Sequence, residues 1–91
     1  MDPKDETLWF GLGKVYMGDE NWQEAVTALK QCIKVKPEYS AAYFALAQSL
    51  HQQQEFEKCR LICTEGIIVA TKNGDLLVIK NLEELKTSQP S

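Results

Sequence analysis

The chain has 91 residues, of which 44% are hydrophobic and 25% are charged, and its formal net charge at pH 7 is −3. This length makes one small domain, and the acidic balance argues against a nucleic-acid partner, which needs clustered Lys and Arg. No apolar run approaches the ~18 residues of a membrane span, and the N-terminus lacks a secretory profile. We therefore expect the chain to stay where it is made; its three cysteines, which cannot all pair, favour a reducing compartment, the cytoplasm.

Five helices are predicted in chain order from their start and stop signals. Asp2 before Pro3 forms a helix start, because Asp accepts from free backbone N–H groups and Pro is tolerated in the first turn. Pro37 ends the second helix, since the residue before a proline is pushed out of the α region. Gly74 supplies a left-handed stop for the fourth helix, and Asp75 caps the fifth. No strand-type alternation is present. The predicted helices span residues 3–17, 22–35, 38–53, 56–72 and 75–86.

A pattern that returns after 34 residues runs through the first four helices. Its first part has the spacing W-x2-L-G-x2-Y and belongs to the first helix of each pair. Its second part belongs to the second helix and the following turn. The period also places a turn at 53–55, where no Gly or Pro marks one. The matching series are Trp9, Leu12, Gly13 and Tyr16 with Tyr43, Leu46, Ala47 and Leu50, and Ala25, Leu29, Cys32 and Pro37 with Cys59, Cys63, Gly66 and Thr71.

These residues resemble the tetratricopeptide repeat (TPR), a family of helical scaffolds that bind other proteins. The resemblance implies an all-α fold in one domain over 1–87, with its helices stacked as a right-handed α-solenoid. Two helix-turn-helix repeats would cover about 3–36 and 37–72, and a capping helix would cover 75–86. The remaining residues, 88–91, are polar and are expected to be disordered.

The small residues of the pattern are expected to lie where the two helices of a repeat approach closely. Gly13 and Ala47 should face Ala25 and Cys59, because a bulky side chain there would separate the helices. The large residues of the pattern should fill the space that the small ones leave. The second repeat departs from the family pattern at four positions. Cys59, Cys63 and Gly66 stand where alanine, an aromatic residue and alanine are usual, and Thr71 stands where proline is usual.

A second face of the first and third helices points away from this packing stripe. At about 100° per residue, three residues of the first helix project about 110° away from the stripe, and their counterparts one period later take the same direction. In proteins similar to this one, that direction lines the concave surface that holds a partner's peptide. The candidate partner-binding residues are Phe10, Lys14, Met17, Phe44, Gln48 and His51.

Two interpretations of the aromatic residues on this face stay open. Phe10 and Phe44 would either contact a partner, as exposed aromatic patches do, or fill gaps between the repeats. Some similar scaffolds grip a C-terminal carboxylate with several basic and amide residues on this face. Only Lys14 supplies a cation at the matching positions, so such a clamp is not expected.

The fifth helix also has two interpretations. Its apolar stripe consists of Val78, Ile79, Leu82 and Leu85. It either packs on the preceding hairpin and ends the array with a polar outer face, as capping repeats do, or it lines the groove. The first is favoured, because leaving the stripe uncovered would cost about 1.5–3 kcal/mol per side chain. A capping helix would also indicate a natural C-terminal end of the array.

The residues suited to chemistry are few and diverge from one another. Cys59 and Cys63 lie on the packing face, whereas His51, the one imidazole, lies on the groove face. They therefore form neither a metal site nor a thiol nucleophile with its base. No glycine-rich phosphate loop or carboxylate pair in a cleft is present. We predict no metal, no cofactor and no enzymatic activity.

The predicted function is that of a scaffold or adaptor that binds a segment of another protein on the concave groove. The alternative is a self-associating structural unit, because repeat folds need about three repeats for stability and this chain has two and a half. A homodimer would form through Leu8 and Val15 or through the groove. RNA recognition by a helical repeat comes third, since the acidic balance disfavours it.

Overall fold

The computed structural model describes residues 4–90 of the chain and contains, within them, five α-helices and no strand. This architecture confirms the all-α prediction. Consecutive helices pack against each other, α1 on α2 and α3 on α4 most extensively. The helices are α1 (Glu6–Gly18), α2 (Trp22–Val35), α3 (Ser40–Gln52), α4 (Phe56–Asn73) and α5 (Leu76–Thr87).

The first helix begins later than the sequence predicts. The side chain of Asp5 accepts hydrogen bonds from the backbone N–H groups of Thr7 and Leu8, at 3.0 and 3.3 Å, and so caps α1. The predicted start at Asp2 and Pro3 lies outside the described residues, and Lys4 lies in a turn before the helix. The predicted helix over 3–17 is therefore corrected to the bounds of α1.

The third helix, too, begins later than predicted, in this case by two residues. Glu38 belongs to a turn that follows Pro37, and the N–H of Tyr39 donates back to the carbonyl of Lys36 at 3.1 Å. The hydroxyl of Tyr43, one turn into α3, donates to the Pro37 carbonyl at 2.6 Å. These hydrogen bonds hold the backbone of Pro37 and Tyr39 in a turn and not in a helix. The third helix therefore begins at Ser40 rather than at residue 38.

The turn within each hairpin repeats with the period of the sequence. Glu20 and Gln54, one period apart, both adopt left-handed backbone conformations with φ of 58° and 62°. The N–H of Glu55 donates to the Leu50 carbonyl at 2.9 Å, and the equivalent bond one period earlier has the same length. The turn predicted at 53–55 is therefore confirmed, although neither copy contains glycine at the left-handed position.

Close approach within the hairpins depends on small residues, as predicted, but one partner differs. The Cys59 thiol donates to the Ala47 carbonyl at 3.2 Å, which confirms that pair. The atoms nearest to a Cβ on Gly13 would belong to Leu29, with its Cγ at 2.6 Å, rather than to Ala25 as the sequence suggests. Gly13 is therefore needed because the Leu29 side chain occupies the space in front of it.

The fifth helix packs on α4 and, less extensively, on α3. Val78 and Leu82 are buried, whereas Lys80, Glu83 and Thr87 are exposed. Hydrogen bonds fasten the end of α4 and the cap of α5 to the start of the second repeat. The Ser40 hydroxyl donates to the Asp75 carboxylate at 2.8 Å, and Asn73 donates its side-chain N–H to the Glu38 carbonyl at 2.7 Å. The larger buried residues of the core are Leu29, Cys32, Tyr43, Leu46, Leu50, Cys59, Cys63, Val78 and Leu82.

Candidate partner-binding groove

The first helix contributes a face that is partly exposed. Phe10, Lys14 and Met17 are spaced by four and three residues, so they lie on one side of α1. Lys14 is exposed, whereas Phe10 and Met17 are half-buried and pack against the core. The Phe10 ring lies 5.1 Å, between centroids, from the ring of Tyr39 in the loop between the repeats. Phe10 thus combines a packing role between the repeats with an accessible surface.

The third helix contributes one wall of a cavity that is open to solvent. Phe44 and Gln48 line a space of about 310 Å³ that lies between α3 and α5. Both side chains are half-buried, and Phe44 also packs against the core. Each side chain therefore keeps part of its surface available. The remaining lining residues, all from α5 and the residue after it, are Asn81, Glu84, Leu85 and Ser88.

His51 lies at the end of α3 and is already engaged within the chain. Its ring centroid lies 5.5 Å from that of Phe56, and its Nδ1 lies 3.1 Å from the side-chain oxygen of Gln89. An amide oxygen only accepts, so Nδ1 carries the proton in this hydrogen bond. The Gln89 side-chain N–H donates in turn to the Leu85 carbonyl at 2.7 Å.

The residues after α5, which the composition predicts to be a disordered tail, make hydrogen bonds to the rest of the chain. Besides the bonds of Gln89, the guanidinium of Arg60 donates to the Pro90 carbonyl at 3.1 Å. Ser88 donates its hydroxyl back to the Leu85 carbonyl at 2.8 Å. These contacts hold the residues after α5 against α3 and α4; Ser91 lies outside the described residues.

Sequence reasoning missed the polar residues that the fifth helix and the tail add to this face. The fifth helix was expected either to pack on the hairpin or to line the groove, and its residues divide between the two. Val78 and Leu82 are buried in the core, whereas Leu85 is half-buried and lines the cavity beside Phe44. The apolar stripe of the helix was the available signal for Leu85, and Gln89 follows the end of the helix.

The three cysteines are free and buried, as their positions predict. Burial raises the pKa of Cys32 from 9.0 to about 11 and that of Cys63 to about 12, and it also raises the pKa of Cys59. These thiols therefore stay protonated at neutral pH, and a protonated thiol is a weak nucleophile and a weak metal ligand. Among residues 4–90, no cluster of three or more His, Cys, Asp or Glu side chains is placed to hold a metal ion.

The family model of the tetratricopeptide repeat matches residues 16–75 of this chain. The chain is 29% identical over 68 residues to the TPR repeat-containing protein PA0015 of Pseudomonas aeruginosa; the alignment covers 75% of this chain. It covers 65% of that relative, so the chain spans just under two thirds of the relative's length.

Solved structures share the fold along nearly the whole chain. The solution structure of a tetratricopeptide repeat domain protein from Salinibacter ruber is 19% identical, with a TM-score of 0.86 over 98% of this chain and 90% of that one. Protein BPP2914 from Bordetella parapertussis is 29% identical, with a TM-score of 0.83 over 91% of this chain and 72% of the other.

The stacked hairpins and the small residues at their contacts define a helical-repeat scaffold. With the family model matching well over half of its residues, the chain belongs to the tetratricopeptide repeat family. Members of this family generally mediate protein–protein interaction and are generally non-enzymatic scaffolds. No helix within residues 4–90 is both long enough and apolar enough to cross a membrane.

Proposed function

We propose that this protein binds a segment of another protein on the face formed by α1, α3 and α5. The cavity of about 310 Å³ beside Phe44 and Gln48 is the observation that carries the proposal, because it offers a recess on the predicted face. Half-exposed aromatic rings supply apolar contact area there, and exposed Lys14 supplies a charge for an acidic group. With so few repeats the contact area is small, so micromolar affinity is expected. The free thiols fit a reducing compartment such as the cytoplasm.

The experiment uses the full chain as bait in an extract of its source cells and compares four forms of it. Wild type, Lys14→Glu, Phe44→Ala and the control Lys30→Glu are immobilised in equal amounts, after thermal unfolding shows that each is folded at the assay temperature. Lys30 is exposed on α2, away from the proposed face. Because Lys30→Glu is the same chemical change as Lys14→Glu, the two variants have the same net charge. A partner that is captured by wild type and Lys30→Glu but not by the other two supports the proposal. Equal capture by all four forms contradicts it.

A second candidate function, self-association, is favoured by one observation on the opposite side of α1. Val15 is 61% exposed, and it lines a surface depression of about 380 Å³ together with Leu8, Gly11 and Leu12. A second copy of the chain would cover these apolar side chains. Light scattering over a concentration series tests this: Val15→Lys should abolish any dimer. A wild-type protein that stays monomeric at about millimolar concentration removes this candidate.

A further inference from the structure

We infer that the cavity between α3 and α5 takes an arginine side chain from the partner segment. This inference rests on the proposed function of the groove and names the chemistry of one residue in its ligand. The partner chemistry follows from the charge, the polar groups and the size of the cavity.

The charge of the lining favours a cation. Within the part of the chain that the structure describes, the lining carries one charged side chain, the exposed carboxylate of Glu84 at the rim. An acidic ligand group would be repelled there, whereas a basic group gains an ion pair.

The remaining lining residues match the shape and the donors of a guanidinium group. The amide oxygens of Gln48 and Asn81 accept hydrogen bonds, and an arginine carries five N–H donors in one plane. The ring of Phe44 offers the aromatic surface on which a guanidinium stacks, and Leu85 offers apolar contact to the methylene stem. A lysine ammonium has fewer donors and does not stack in this way, so arginine fits better.

The size of the cavity suits a side chain rather than a folded element. Its volume of about 310 Å³ is at the lower end of the range for ligand sites, too small for a folded element. Lys14 lies on α1, at the other side of the same face, and has the opposite charge. A partner segment with an acidic residue near α1 and an arginine near α5 would therefore bind in one direction only.

Peptide titration of the ¹⁵N-labelled full chain tests the inference. The probes are the blocked peptides acetyl-Ala-Leu-Arg-Leu-Ala-amide and its citrulline counterpart, which has the same shape without the charge. We expect saturable shifts at the side-chain amides of Gln48 and Asn81 with the arginine peptide, and binding about fivefold weaker with citrulline. The variant Glu84→Gln should remove this difference, whereas Glu83→Gln, with the same net charge and an exposed position outside the lining, should keep it.

The outcomes separate the inference from the proposed function. Equal binding of the two peptides at the groove residues overturns the arginine assignment and leaves a groove that accepts apolar peptides. Equal losses in Glu84→Gln and Glu83→Gln also overturn it, since overall charge would then explain the preference. Shifts confined to residues outside the groove, or no shift at about 5 mM of either peptide, count against both.

Discussion

Gly66 of α4 lies directly against Leu82 of α5, with no room for a side chain between them. A Cβ atom on Gly66 would lie 2.8 Å from Cδ1 of Leu82 and 2.7 Å from Cβ of Tyr43. Leu82 is fully buried in this contact. The glycine that departs from the family pattern in the second repeat is therefore the residue that lets the fifth helix close onto the hairpin.

Gly66→Ala should destabilise the protein by about 1–3 kcal/mol, because the Cβ of Tyr43 is fixed by its backbone and cannot move aside cheaply. Helix propensity alone would make the alanine variant more stable by about 0.5–1 kcal/mol. The change in stability expected from the packing therefore has the opposite sign. Gly11→Ala is the matched control, since no atom lies within 4 Å of a Cβ at this position in α1. Urea unfolding should show Gly11→Ala more stable and Gly66→Ala less stable than wild type. A stabilised Gly66→Ala variant would contradict this packing.

The contact also shows why the sequence predicts some parts of this fold and not others. The period fixes the helices and their turns, because the same backbone must stack on its copy. It does not fix which side chain fills a gap: whether Ala25 or Leu29 lies nearest to Gly13 depends on a side-chain rotamer. Likewise Asp2 and Asp5 have the same capping chemistry, so sequence alone did not identify Asp5 as the cap of α1.

The cavity was beyond sequence reasoning for a related reason. Phe44 and Gln48 were identified by helical direction, but Asn81 and Glu84 lie on a helix whose residues no longer match the repeat pattern. Their neighbours in space depend on how far α5 closes onto α4, which is set by Gly66. The six predicted partner residues therefore remain a prediction, to which the structure adds the residues of α5.

Gln54→Gly should stabilise the protein by about 0.5–1 kcal/mol. Gln54 has a φ of 62°, a conformation that is strained for residues with a Cβ and free of strain for glycine. The matched control is Gln53→Gly, one residue earlier, where φ is −79° and glycine only adds freedom to the unfolded chain. Thermal unfolding should therefore shift upward for Gln54→Gly and downward for Gln53→Gly. Equal shifts of the two variants would contradict the left-handed turn.

The buried thiols should make the protein less stable in alkaline solution. Their folded pKa values, about 11 for Cys32 and about 12 for Cys63, lie above the ordinary value of 9.0. At a pH between 9.0 and these folded pKa values, the thiols of the unfolded chain release protons that the thiols of the folded chain keep. Stability is thus full below about pH 9 and is lost as the pH rises toward about 12. Cys32 and Cys63 should each account for about 1–2 kcal/mol of loss by about pH 10.5.

Cys63→Ala tests this pH dependence. The variant is less stable overall because it leaves a cavity, but its free energy of unfolding should fall less steeply between about pH 8 and about pH 10.5. Leu50→Ala is the control, since it also removes buried volume and keeps all three thiols. Urea unfolding at several pH values gives the slopes. A slope for Cys63→Ala as steep as that of Leu50→Ala would show that this thiol does not titrate as its burial requires.

Gln89→Ala should release the end of the chain from the groove. One Gln89 side chain bonds to both His51 of α3 and the Leu85 carbonyl of α5, at 3.1 and 2.7 Å. Both bonds end in the variant, while the loss of stability should stay near 0.5–1.5 kcal/mol for bonds at a partly exposed site. Amide order parameters at Ser88 and Gln89 should fall below about 0.6, and the ring signals of His51 should shift.

The control for this release is Gln52→Ala, which removes an exposed glutamine at the end of α3. Its tail should stay as ordered as that of wild type. A tail that is already mobile in wild type, or one that stays rigid in Gln89→Ala, would contradict the contact. Because His51 is one of the proposed partner residues, Gln89 and a bound segment would compete for the same imidazole. A captured partner that contacts His51 should therefore bind Gln89→Ala more tightly than wild type, whereas Gln52→Ala should leave its affinity unchanged.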